Sequence, residues 1–309
     1  MSETIPTISA DCAPDAPILS VVIVTYRSAN DIGACLESMP RRLLGQAVEV
    51  IVVDNASPDE TVRVVAEGFP WVRLIPAGGN LGFSRANNRG TYQARGEYIL
   101  FLNPDTIVNE LALAAGLERL RAEPDIGIYS PKLVLADGTM DLACRRSIPT
   151  VWDGFTRATG LARCFPQVRL LAGYNLTYLP EEGTYAVGAV NGAFMLLPRR
   201  HLARIGLFDE RFFMYGDDLD LCLRCTRAGL RVVYDGRHAI IHLKGQSSAK
   251  EYRVMSREVF RGTKQFYLKH FNPDRSRWRK WQFDALFGCW EMTARLLGQL
   301  RGHKLARPL

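Results

Sequence analysis

The sequence lacks any uncharged apolar run approaching the ~20 residues that a bilayer-spanning helix needs, so no segment is expected to cross a membrane. It also lacks a disulfide framework. Its seven cysteines, Cys12, Cys35, Cys144, Cys164, Cys222, Cys225 and Cys289, are an odd number scattered through 309 residues, a usage that fits a reducing compartment. Cys222 and Cys225 form a CxxC, but neither a second pair nor a suitably spaced histidine completes a tetrahedral zinc site, and they read as core packing. Residues 1–17, with Pro6, Pro14, Pro17 and the acids Glu3, Asp11 and Asp15, have neither the basic start nor the apolar core of a signal peptide. They read as a disordered lead-in, and the expected location is cytoplasmic. Internal repeats and low-complexity segments are absent as well.

A hydrophobic content of 47% is enough for a sizeable core, and the length suits one large domain with an appendage. The formal net charge of +7 is unevenly placed. Residues 251–309 hold 13 Lys and Arg against 5 Asp and Glu, which leaves 26 against 27 for residues 1–250. A neutral body with a basic tail argues against a nucleic-acid enzyme, whose basic surface surrounds its site, and for a membrane surface or an acidic partner.

The first half alternates strands and helices. "ILSVVIVTY" (18–26) is a β-branched run without polar alternation, as in a parallel strand covered on both faces. A helix is expected over 29–39. "VEVIVVDNAS" (48–57) repeats the design and ends in Asp54 and Asn55, with Ser57-Pro58 opening a helix to about 67. "WVRLIPA" is a third strand, 83–94 a third helix, and "EYILFLNPDT" a strand ending in Asn103, Pro104 and Asp105. This order predicts an α/β fold with a doubly wound, mainly parallel sheet. Such sheets bind ligands beyond the carboxyl ends of their strands, where Thr25, Asp54, Asn55, Asn103 and Asp105 all fall.

"GGNLG" (78–82) lacks GxGxxG spacing and follows the third strand rather than the first, so it reads as a turn with Asn80 close to the backbone, not a dinucleotide fingerprint. Arg85, Asn87, Asn88 and Arg89 face either a phosphate or ribose, or solvent. Asp105, at a turn fixed by Pro104, suits a hard divalent ion that also touches phosphates, and His242 ends a later apolar strand. Gly192, inside the apolar stretch 187–202, suggests close approach of a ligand or another backbone. In "MYGDDLDLC" (214–222), Asp217, Asp218 and Asp220 open a helix that Gly229 stops; its amino end favours negative charge. Asp217 and Asp220 can share a face while Asp218 points elsewhere.

From about Ser20 to Ser248 these stretches, with "GGNLGFSRANNRG", "VNGAFMLLPRR", "GLFDERFFMYGDDLDLCLR" and "HLKGQSS" in order, resemble a family 2 glycosyltransferase of the GT-A fold, in its bacterial rhamnosyltransferase-like branch. The resemblance implies an inverting transfer of a sugar from a nucleoside diphosphate, with L-rhamnose from dTDP-L-rhamnose the expected donor and a lipid-linked or polysaccharide acceptor in cell-envelope glycan synthesis. It implies that Thr25, Tyr26, Asp54, Asn80, Arg85 and Asn103 line the nucleotide-sugar pocket. It places Mg2+ or Mn2+ on Asp105 and His242, with Asn103 where many relatives carry a further aspartate. Gly192 and Ala193 match the acceptor-side turn. Asp218 matches the catalytic base, and Asp217 replaces the usual Glu, one methylene shorter, as a positioning or capping neighbour. The expected domains are 18–250 for the catalytic unit, divided near 135 into nucleotide-sugar and acceptor halves, and 251–309 for a basic helical extension. Alternatives are a UDP-hexose donor, or a noncatalytic nucleotide-sugar or glycan-binding protein.

Processive relatives carry QxxRW where this chain has "DRSRW", with Asp274 in place of Gln, so one sugar per encounter is expected. Beyond it, Trp278, Trp281, Leu286, Cys289, Trp290, Leu297 and Leu300 fall mostly at three- and four-residue steps beside Arg277, Arg279 and Lys280. This pattern reads as an amphipathic helix that lies on the cytoplasmic face of an anionic membrane, or packs on its own domain or on a homodimer partner. Arg145 and Arg146, in the weakly patterned region 137–182, read as a solvated loop in preference to an acceptor-phosphate contact.

Overall fold

The computed structural model describes residues 5, 7–244, 249–272, 276, 278 and 281; side chains of 249–257 are not described. Of the expected amphipathic helix beyond Arg275, only Ser276, Trp278 and Trp281 lie among these residues; the two tryptophans stack at 5.1 Å and are exposed.

The strands are β1 (Leu19–Thr25), β2 (Arg42–Leu43), β3 (Gln46–Asp54), β4 (Arg73–Pro76), β5 (Tyr98–Leu102), β6 (Thr106–Ile107), β7 (Ile126–Val134), β8 (Thr184–Val187), β9 (Phe194–Pro198) and β10 (Arg231–His242). The helices are α1 (Ile32–Glu37), α2 (Thr61–Gly68), α3 (Gly82–Thr91), α4 (Glu110–Ala122), α5 (Val151–Ala158), α6 (Leu161–Cys164), α7 (Arg199–Ile205), α8 (Asp217–Arg227) and α9 (Ala249–Phe271). One mixed, mostly parallel sheet runs β2-β3-β1-β5-β9-β7-β10-β6, with β4 beside β3 and β8 beside β10. β3, β1 and β5 pair in parallel, as the continuous apolar runs require. β9 then enters antiparallel to β5, a reversal that an apolar strand in sequence does not announce.

Several element ends differ from expectation for local reasons. The helix expected from Ser57-Pro58 begins at Thr61, because Ser57 spends its N–H and hydroxyl on Asp54. "RVVYD" and "HAIIH" are one strand, β10, with a shift of register between Asp235 and Ala239. Cys222 and Cys225 are buried free thiols in the core, where burial raises Cys225 to about 12.

Residue 250 marks no structural break. Gly262 of α9 meets the loop before α8 so closely that a Cβ there would lie 2.0 Å from the Tyr215 carbonyl oxygen. Phe266 and Tyr267 are buried in the core. Lys269 and His270 reach Asp220 in α8 at 2.5 and 2.7 Å. α9 therefore packs on the α/β domain and buttresses the helix that carries the acidic motif. Among the described residues no helix is long and apolar enough to cross a membrane.

Candidate active site

Thr25 and Asp54 end adjacent parallel strands in register, and the Thr25 hydroxyl donates to Asp54 Oδ1 at 3.0 Å. Ser57 donates its N–H to Oδ2 at 3.0 Å and its hydroxyl to Oδ1 at 2.5 Å. Asp54, almost fully buried, is thus fixed by three donors, with capacity left for a further donor. Tyr26 follows β1 and is exposed. Asn80 accepts from the Gly82 N–H at 3.0 Å. Gly82 has φ +78°, and a Cβ there would lie 2.4 Å from the Phe213 oxygen, so "GGNLG" is a turn wedged against the loop leading to α8. Arg85 points to Glu210, 3.5 Å away, and is largely exposed. Asn87 and Asn88, by contrast, are buried, and Asn88 ties α3 to Phe208 through its side-chain amide. The solvated-face alternative fails for these two.

Asn103 leaves β5 with its backbone N–H bonded to the Ala193 oxygen, so the turn after β5 and the turn before β9 are directly joined. β6 pairs antiparallel with the end of β10, which returns His242 to Asp105. His242 Nε2 lies 3.3 Å from Asp105 Oδ1, and its Nδ1 lies 3.2 Å from Asp141 Oδ2. Burial alone would lower this imidazole, but the two carboxylates outweigh it and raise it to about 9. Burial pushes Asp141 up in turn, yet His242, Lys244 at 2.9 Å and the Ala143 N–H hold it well below the usual carboxylate range.

These residues fit a hard divalent cation. Asp141 can hold the proton on Nδ1, which leaves Nε2 and the Asp105 carboxylate as adjacent donors; carboxylate-oriented histidines of this kind are common metal ligands. Among the described residues no three His, Cys, Asp or Glu side chains form a ready cage. A cation would take Asp105 and His242 from the protein and its other oxygens from substrate phosphates and water.

α8 brings the acidic motif to the turn before β9, which Ala193 joins to Asn103. Its N-cap is Gly216 at φ +83°, with no side-chain cap, so Asp217 is the first helical residue and not the capping group that was one of its two expected roles. Asp217 is buried. Desolvation and the neighbouring Asp218 charge raise it to about 8, with the backbone N–H groups of residues 217 and 218 pulling the other way. Asp220 is wholly buried among Arg224, Lys269 and His270, a structural cluster. Asp218 turns to the Gly192 loop before β9. Its Oδ2 accepts from the Gly192 N–H at 3.4 Å, and a Cβ on Gly192 would sit 3.6 Å from the Asp218 Cβ, ordinary contact distance. Ala193 follows, buried.

The residue that the sequence reading misplaced is Arg146. It is buried rather than solvated, and its Nη2 donates to Asp218 Oδ2 at 2.5 Å and to the Val190 oxygen at 2.7 Å. Arg145 is fully buried too, donating to the oxygens of Leu179 and Pro180. Asp141 carries no motif in the sequence either. The clue in sequence for all three was slight: two adjacent arginines and one aspartate in a region without periodicity.

Residues 20–145 match the family model described as Glycosyl transferase family 2, and residues 98–308 match Glycosyl transferase family group 2. The chain is 30% identical over 245 residues to the N-acetylglucosaminyl-diphospho-decaprenol L-rhamnosyltransferase of Mycobacterium tuberculosis, covering 76% of this chain and 78% of that one. It is 26% identical to the rhamnosyltransferase WbbL of Escherichia coli over 78% of this chain and 90% of the relative. Among solved structures, the mannosyltransferase PcManGT from Pyrobaculum calidifontis, in complex with GDP-Man and Mn2+, superposes with TM-score 0.55 at 19% identity, covering 96% of this chain and 80% of that one. The arrangement is the GT-A fold.

Proposed function

The chain belongs to glycosyl transferase family 2, and from that membership we propose that it transfers L-rhamnose from dTDP-L-rhamnose, with inversion, to a lipid-linked or polysaccharide acceptor. The choice of sugar is supported by the two relatives above, both rhamnosyltransferases by name. The observation that carries the chemistry is the placing of Asp218: it is the one carboxylate of its motif that faces the Gly192 loop, while Asp217 and Asp220 are buried.

In this reading the Asp218 carboxylate removes the proton from the acceptor hydroxyl as that oxygen attacks the anomeric carbon. The bond to the donor diphosphate breaks on the opposite face, and a single displacement inverts the configuration. Burial and the neighbouring charge raise Asp217 to about 8, so its own carboxyl keeps its proton at neutral pH. Arg146 and the Gly192 N–H keep that carboxylate aimed at the acceptor side until the hydroxyl arrives. Thr25 and Ser57 hold Asp54 ready to accept from the nucleobase. A divalent cation bound by Asp105 and His242 would neutralise charge on the leaving diphosphate.

A screen of nucleotide sugars, with and without Mn2+, tests this. dTDP-L-rhamnose should give the largest thermal shift and the fastest turnover. Preference for a UDP-hexose would replace the donor while keeping the chemistry, and tight donor binding without turnover would reject the enzyme reading.

A further inference from the structure

The region between β7 and β8 carries a surface that the proposed reaction leaves unused. α5 is turned inside out relative to a helix of a water-soluble domain. Its buried residues are polar, Asp153 and Thr156, whereas Trp152 and Phe155 are 44% and 50% exposed. The two rings stack at 5.4 Å, and Trp152 Nε1 donates to the Leu170 oxygen at 2.7 Å, joining α5 to the exposed run 163–170. Phe165 and Leu170 in that run are 50% and 69% exposed. Single exposed apolar side chains are ordinary, but stacked aromatics beside further exposed large residues are the mark of a binding surface.

Its charge identifies the partner. Between residues 142 and 180 the only acid is Asp153, which is buried and spent on the Thr150 cap. Arg163 and Arg169 are exposed. A second copy across a two-fold axis would bring this unrelieved positive patch against itself, whereas anionic phosphates would neutralise it. We propose that the face formed by α5 and residues 163–170 docks on an anionic lipid bilayer, with Trp152, Phe155 and Leu170 at headgroup depth and Arg163 and Arg169 on lipid phosphates.

The position suits a lipid-linked acceptor, a consequence that rests on the proposed function. Thr150, the cap of α5, follows Arg146 by four residues, about 14 Å of extended chain at most. Arg146 in turn holds Asp218. The bilayer contact would therefore lie beside the acceptor side of the site. α9 braces this segment, since the Tyr267 hydroxyl donates to the Pro149 oxygen at 2.7 Å.

The test is co-sedimentation of the full chain with phosphatidylcholine vesicles with or without phosphatidylglycerol, for the unaltered protein, a Phe155→Glu/Leu170→Glu variant, and Leu111→Glu as a control at an exposed apolar position on α4. The proposal expects binding that needs phosphatidylglycerol, about tenfold weaker partitioning for the double variant, and no change for the control. Quenching of tryptophan fluorescence by brominated lipid should fall in Trp152→Phe, which keeps a ring to stack on Phe155. Equal partitioning of the double variant and the unaltered protein, no vesicle binding at all, or a dimer in solution that the double variant dissolves would each overturn it. Loss of donor turnover in the unaltered protein would count against the glycosyl-transfer reading alone, since vesicle binding is read without donor.

Discussion

Arg146 and Asp218 form an almost buried ion pair, Nη2 to Oδ2 at 2.5 Å, between a loop after β7 and the first turn of α8. The proposed base is therefore held by a cation from 72 residues earlier in the chain, and the loop after β7 is tied to α8 through it.

Removing Arg146 would leave a carboxylate without its partner in a nearly dry site. Arg146→Ala should cost about 3–5 kcal/mol of folding stability, the usual penalty for breaking a buried pair. Turnover should fall more than donor affinity, because Thr25 and Asp54 are held by each other and by Ser57 rather than by this pair. Arg146→Lys should recover part of both. Chemical denaturation with steady-state kinetics on the three proteins would check this.

Asp217 sets the expected pH dependence. Its folded-state value is raised from the ordinary 3.8 to about 8, so the folded protein binds a proton that the unfolded chain releases. The stability this contributes is present below pH 3.8 and is lost as the pH rises through about 8. Asp217→Asn has no such proton to lose. Above that pH its melting temperature should exceed that of the unaltered protein by about 2 °C or more, with the gap narrowing toward pH 5. Parallel melting curves across pH would contradict the assignment.

Asp141 orients His242 from the side away from Asp105. Asp141→Ala should therefore weaken Mn2+ binding by about 10–100-fold, read by calorimetry without donor. Asp141→Asn, which can still bond Nδ1, should lose less.

Much of this was legible in sequence where one physical requirement dominated. Buried parallel strands require unbroken β-branched runs, so β1 and β3 announce themselves, and their carboxyl ends place Thr25 and Asp54 side by side. The helical spacing of Asp217, Asp218 and Asp220 separates their directions, and the structure turns Asp218 alone toward the Gly192 loop. What escaped depends on long-range pairing. Arg146 reads as a surface residue because its partner is 72 positions away, and β9 reads like any apolar strand although it runs antiparallel to β5. α9 looks like an appendage by charge, but the glycine that lets it approach Tyr215 carries no pattern of its own.

The central claim, that Asp218 is the base, is tested most directly by Asp218→Asn, an almost isosteric change that keeps a hydrogen-bond acceptor beside Arg146. Donor affinity and transfer rate to an acceptor should be measured on the same preparation. The prediction is unchanged donor binding with transfer slowed by on the order of 10²–10⁴. Transfer close to that of the unaltered protein, with donor bound normally, would contradict it.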